Sequence, residues 1–292
     1  MPHYLIAESE TEDERDARRS SAGKSSGETY AATLEQMQPG SRITIIAPAD
    51  DDACVLNVAE LKDFDAVFLT GSPLHVYDDT PEVRRQLDFM RAVFASGTPS
   101  FGSCAGLQVA VVAAGGTVRK MPERMEAGIA RRIVATDAGR QHPLLAGRPP
   151  TWDAAAIHGD EVETLPPGSV LLASNAVTHV QAAEIRYDRG VFWGVQYHPE
   201  LALGEIAVAL KRQTDDLVEA GLAESSDDVE TRAGQLTALH RDPARRSLWW
   251  ILGVDAELAD EARRRTEIRN FLNYLARGEA DPHVPHDEAA VS

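Results

Sequence analysis

Through the first two thirds of the chain, short apolar runs alternate with longer segments whose apolar residues recur every three or four positions. YLIA (4–7), RITIIAP (42–48), DAVFLTG (65–71) and TPSFG (98–102) predict buried strands that stop at turn-forming residues. Between the last two, PEVRRQLDFMRAVFAS (81–96) predicts a helix, with Pro81 in its first turn and Gly97 just past its end. Strand, helix and strand in this order predict right-handed crossovers, and so an α/β fold with a mostly parallel open sheet flanked by helices. IARRIVAT (129–136), VLLASN (170–175), VQAAEIRY (180–187) and GVFWGVQY (190–197) carry the β-branched and aromatic residues that favour further strands. Turns are expected at Pro149-Pro150, at PPG (166–168) and at YDRG (187–190). The last joins its two strands as a hairpin, so part of the sheet is expected to be antiparallel.

After about residue 202 the pattern changes. From Ala202 to Arg277 there is no strand candidate, and Ala, Leu, Glu and Arg at helical spacing predict three to five helices, with Pro243 the strong breaker. DPHVPHDEAAVS (281–292) reads as a loose tail. SETEDERDARRSSAGKSSGE (9–28) has almost no large apolar residue and reads as an exposed or mobile loop. Its Gly23-Lys24-Ser25 ends like a phosphate loop, but Arg18 stands where that motif needs its first glycine, so none is expected.

Charge narrows the choice of partners. A net charge of −17 repels phosphate backbones and anionic headgroups, so neither nucleic acid nor a membrane surface is an expected partner. No apolar run is long enough to span a bilayer, and MPHYLIAESETEDE lacks the basic-then-apolar order of a signal peptide, so a cytoplasmic location is the default expectation. The two cysteines, Cys54 and Cys104, are then free thiols, and Cys54, with no glycines around it, is expected to be structural. His142 reads as the end of a loop. His283 and His286 have no supporting ligands, and no cofactor fingerprint is present, so neither a metal nor a cofactor is expected.

The chemistry concentrates at two places. Gly102-Ser103-Cys104-Ala105-Gly106 falls where a short strand gives way to the apolar helix LQVAVVAA, the pattern of a nucleophile elbow. At a helix N-terminus the dipole and free amides favour the thiolate. The plainer alternative is that the glycines serve only close packing and Cys104 is inert. Gln196-Tyr197-His198-Pro199-Glu200 follows another strand, so His198 emerges at a strand end with Glu200 two residues on to orient its imidazole.

GSCAGLQ and YHPE together resemble the class I glutamine amidotransferases, whose catalytic cysteine lies in G-x-C-x-G-x-Q and whose histidine and glutamate lie in H-P-E. LTGSP (69–73) is similar to the turn forming part of that family's oxyanion hole, and HGDEV (158–162) to the HGD segment of the amidotransferase domain of GMP synthetases. The resemblance covers residues 1 to about 202. It implies a flavodoxin-like catalytic domain over 1–203, a helical insertion over 204–265 forming a C-terminal all-helical subdomain, and a closing helix over 266–280. It further implies a Cys104–His198–Glu200 triad cleaving the γ-amide of glutamine, with the oxyanion held by Gly71, Ser72 and the Ala105 amide. Gln108 is expected to shape the substrate pocket, and His158, with Asp160, either lines the site or caps its strand. Two departures stand out: Ser72 replaces a common glycine, and Ile157 replaces a common serine before His158.

No synthase motif is present, so any acceptor for ammonia belongs to a separate synthase subunit. A γ-glutamyl hydrolase or peptidase with the same triad, and a non-catalytic regulatory or binding subunit, are the alternatives. LWWILG (248–253) is expected to form the core of the helical insertion, with an exposed patch for a partner as the alternative.

Overall fold

The structure is a computed structural model that describes residues 1–53, 56–122 and 124–278. The expectations for Cys54 and for the tail with His283 and His286 lie outside the described residues. The strands are β1 (His3–Ala7), β2 (Arg42–Ile46), β3 (Ala66–Leu69), β4 (Ser100–Ser103), β5 (Thr117–Lys120), β6 (Glu126–Ala135), β7 (Thr151–His158), β8 (Asp160–Thr164), β9 (Ser169–Ser174), β10 (Ala182–Tyr187) and β11 (Gly190–Val195). Among them run helices α1 (Glu12–Ala22), α2 (Ser26–Met37), α3 (Val58–Leu61), α4 (Pro81–Ser96), α5 (Ala105–Ala113) and α6 (Asp137–Gln141). From residue 203 to 277 the regular elements are all helices: α7 (Leu203–Arg212), α8 (Thr214–Glu219), α9 (Ser226–Arg241), α10 (Arg246–Leu252), α11 (Ala256–Ala259), α12 (Glu261–Arg264) and α13 (Thr266–Arg277).

Nine strands form one sheet in the order β2-β1-β3-β4-β11-β10-β9-β6-β7. The five from β2 to β11 are parallel to their neighbours, and the rest pair antiparallel. The sheet thus has a parallel half of five strands, as expected for the first part of the chain, and an antiparallel half that begins at the expected β10–β11 hairpin. Side-chain alternation sends Tyr4, Ile6 and Phe68 to a core on one face and Leu5, Ala7 and Val67 to a core on the other. A third apolar cluster, including Leu210, Leu236 and Leu258, belongs to the C-terminal helices and seats them on Ile129 of β6 and Ala155 of β7.

Three expectations need correction. The segment 9–28 is not an exposed loop: it contains α1 and the start of α2, and Glu8, Ser9, Glu10, Arg15 and Ser26 are buried. Its order comes from polar contacts. Capping boxes at Thr11/Glu14 and Ser25/Glu28 start the two helices, and Arg15 forms a two-pronged pair with Asp50 at 2.6 and 3.0 Å. Between residues 202 and 277 there are seven helices, not three to five, because α8 and α10–α12 are short, separate helices, the last two capped by Asp255 and Asp260. Strands β5, β7 and β8 also went unpredicted. The alanine-rich β7 has weak strand propensity and owes its conformation to the long ladder with β6.

Candidate active site

The parallel half of the sheet brings the ends of β3, β4 and β11 together, where ligands are usually bound in open α/β sheets. Cys104 lies between β4 and α5 with φ 53° and ψ −113°, a conformation that L-residues rarely occupy. Its own N–H donates to the Val195 carbonyl at 2.9 Å, which fastens the bend to the end of β11. Gly106 lets α5 start this close to the sheet: a Cβ there would lie 2.6 Å from the Leu69 carbonyl oxygen. The first-turn amides of α5, Ala105 among them, have no intrahelical acceptor and are free to meet a negative charge at this helix start.

Three residues past β11, the His198 N–H donates to the Ala155 carbonyl at 2.8 Å, which fixes the backbone that carries the ring. His198 Nδ1 lies 2.7 Å from Glu200 Oε1, and Cys104 is near enough to the ring to act on its charge. Burial works against charge on this imidazole, but the Glu200 carboxylate and Cys104 outweigh it and raise its pKa to about 10. Gly71 closes the other side: a Cβ there would lie 3.0 Å from His198 Cε1 and 3.6 Å from Cys104 Cβ, so only glycine lets the turn after β3 come so near. In the same turn Ser72 Oγ accepts from the Leu74 N–H at 3.0 Å. The structure thus gathers Cys104, His198, Glu200, Gly71, Ser72 and Ala105 around one point.

Gln108 and His158 lie beside this point and are engaged by the protein. Gln108 Nε2 donates to the Asp160 carbonyl and to Gln196 Oε1, each at 3.2 Å. His158 is buried, with Nδ1 2.9 Å from the Asp160 carbonyl and Nε2 3.1 Å from Glu126 Oε2. Glu126 also accepts from Asn175, Thr178 and Gln181, and these contacts, with His158, hold its carboxyl below the usual range despite burial. Sequence reasoning missed Glu126, and nothing in the local pattern at 126 signals it.

It also missed two supports of the elbow. Tyr30 of α2 is buried beneath it, with its hydroxyl 2.7 Å from Ser103 Oγ. His75 Nδ1 and the Tyr77 hydroxyl meet the Asp160 carboxylate at 2.6 and 3.1 Å, and the two rings stack. The motif around His158 already held Asp160, but its partners in HVYDD come from a loop 85 residues away. Among the described residues, no group of three or more His, Cys, Asp or Glu side chains is placed to hold a metal.

This fold and this site define the class: the chain belongs to the class-I glutamine amidotransferase family, whose profile matches residues 28–214. Among individual proteins it is 36% identical over 279 residues to a gamma-glutamyl-L-1-hydroxyisopropylamide hydrolase from a Pseudomonas species, a match covering 93% of this chain and 92% of that protein. It is 36% identical over 139 residues to the glutamine-hydrolyzing GMP synthase of Leifsonia xyli subsp. xyli, where the match takes in only 26% of that protein. A glutamine amidotransferase from Thermotoga maritima shares the fold, with a TM-score of 0.65 at 14% identity over 94% of this chain and 97% of that one.

Proposed function

We propose that the protein hydrolyses the γ-amide bond of a γ-glutamyl amine to glutamate and the free amine, through a thioester on Cys104. The observation that carries this reading is the end-to-end likeness to a γ-glutamyl amide hydrolase, set against a match to the GMP synthase confined to about a quarter of its length. The Cys104, His198 and Glu200 geometry supplies the chemistry that such a reaction needs.

Cys104 Sγ attacks the γ-carbonyl carbon. The oxyanion that forms is held by the amides of Ala105 and of the Gly71–Ser72 turn, which are fixed in place before the charge appears. His198, protonated at neutral pH, gives its proton to the amide nitrogen, the C–N bond breaks, and the amine departs. Water then attacks the thioester while His198 takes its proton, the C–S bond breaks, and glutamate leaves with the thiolate and imidazolium restored. Glu200 holds the ring orientation and its charge. Gln108 and His158 fix the pocket floor through Asp160 and Glu126.

The second reading keeps the site and changes the substrate: glutamine itself, with ammonia passed to a separate synthase subunit. The match to GMP synthase favours it. No described helix is long and apolar enough to cross a membrane, and a soluble, cytoplasmic enzyme without cofactor or metal fits this chemistry.

The test is amine and ammonia release from γ-glutamyl alkylamides and from glutamine, side by side, with Cys104→Ala as control. We expect higher kcat/KM for the alkylamides, and a loss of at least roughly 1,000-fold in the variant. Faster turnover of glutamine selects the second reading. Full activity in Cys104→Ala overturns the thioester, and silence on every substrate leaves the binding-subunit alternative standing.

A further inference from the structure

The segment LWWILG divides between inside and outside. Leu248 and Leu252 are buried in the helical cluster, whereas Trp250 is 85% exposed and Ile251 48%. Beside them, the Arg246 guanidinium stacks 3.9 Å over the half-buried Trp249 ring, and Arg241 and Arg245 are exposed. Arg241, Arg245 and Arg246, close in sequence to the exposed Trp250, make this a basic, aromatic stretch on a chain with 46 acidic and 29 basic residues. Among the described residues none of these arginines has an ion pair; Arg246 lies over Trp249 and Arg245 Nε donates to Ser247 Oγ at 3.3 Å, which leaves their positive charge without a carboxylate partner. A surface of this kind fits a partner that is acidic and partly apolar.

The chain carries such a surface itself. Residues 213–230, covering α8 and the start of α9, contain no Lys or Arg, and Asp215, Asp216, Glu219 and Asp227 are exposed. Val218 and Leu222 are also exposed among them, at 37% and 36%. Both α8 and α10 pack on α9, so the acidic and basic surfaces are carried on one helical layer.

We propose that α10 of one copy docks on α8 of a second copy, with Trp250 and Ile251 meeting Val218 and Leu222 and the arginines facing the aspartates. Each copy holds both halves of the contact, so a two-fold axis forms it twice and closes the assembly as a dimer. The catalytic residues take no part.

Sedimentation velocity over a range of concentrations at low salt should give the mass of two chains, and raised salt should weaken the pair. Trp250→Glu should sediment as a single chain with an unchanged far-UV spectrum and unchanged hydrolytic activity. Arg241→Glu/Arg245→Glu and Asp215→Lys/Asp216→Lys should each be monomeric alone, since each makes its two surfaces alike in sign. Mixing these two variants should restore a dimer. A wild type that stays single throughout gives this surface to some other partner and overturns the proposal. So does a dimer indifferent to Trp250→Glu, or a mixture that fails to pair.

Discussion

His198 is held by two neighbours of negative character, and its pKa of about 10 makes the imidazolium the resting form at neutral pH. The sign follows directly: a raised pKa keeps the proton on as pH climbs past the ordinary 6.5, and the proton is lost only as pH passes through about 10. The kcat/KM profile of the wild type should therefore hold through weakly alkaline pH and fall near 10. In Glu200→Gln the first-named raising charge is gone, so the alkaline fall should move to lower pH. An alkaline limb unmoved in that variant would show that Glu200 does not support the charge. The sequence made this pair legible because Pro199 and two-residue spacing bring both groups out of one strand end. The same local spacing could not disclose Tyr30 or Glu126, whose contacts to the elbow and to His158 span 73 and 32 residues.

Among elements, the loop after β3 is tied across the site to the turn between β7 and β8. Asp160 takes hydrogen bonds from His75 and Tyr77 through its carboxylate and from Gln108 through its carbonyl, so one residue sets the oxyanion turn against the helix that carries Cys104. Asp160→Asn replaces one acceptor oxygen with a donor facing a donor. We expect kcat to fall about tenfold with little change in KM, because the misplaced amides act only once the oxyanion exists. A raised KM with kcat unchanged in steady-state assays would instead place Asp160 in substrate binding. The parallel strands could be read from the sequence because burial on both faces gives continuous apolar runs. The α1 segment could not: Arg15 is buried against Glu8, Glu10 and Asp50, and polarity that is spent on internal ion pairs looks in sequence like polarity spent on water.

At the level of the whole molecule, a buried cation in the segment before β7 ties down the C-terminal helices, beside their apolar cluster. The Arg148 side chain is 2% exposed and pairs with Glu267 of α13 through two 2.7 Å contacts, and with Glu257 of α11 at 3.0 Å. Glu267 also accepts from the Tyr197 hydroxyl at 2.9 Å, one residue before His198. Arg148→Ala leaves the fully buried Glu267 carboxylate without its cation, Glu257 keeping Arg263 at 2.7 Å, and urea unfolding should show a loss of about 3–5 kcal/mol. Activity should fall at temperatures where the fold is still intact, because Tyr197 loses its anchored partner. An unfolding midpoint within error of wild type would mean that water reaches Glu267 and that the C-terminal helices are held by their apolar cluster alone.

The backbone at Cys104 has a consequence for how the protein can change over time. Its φ of 53° with ψ of −113° suits glycine and strains any other residue, so the site that needs a thiol is also a site where losing it would relax the chain. Under the proposed mechanism, mutation at this codon therefore has an asymmetric outcome: Cys104→Gly would give a sturdier protein without its nucleophile, and thermal robustness selected without an activity screen would tend to remove the cysteine.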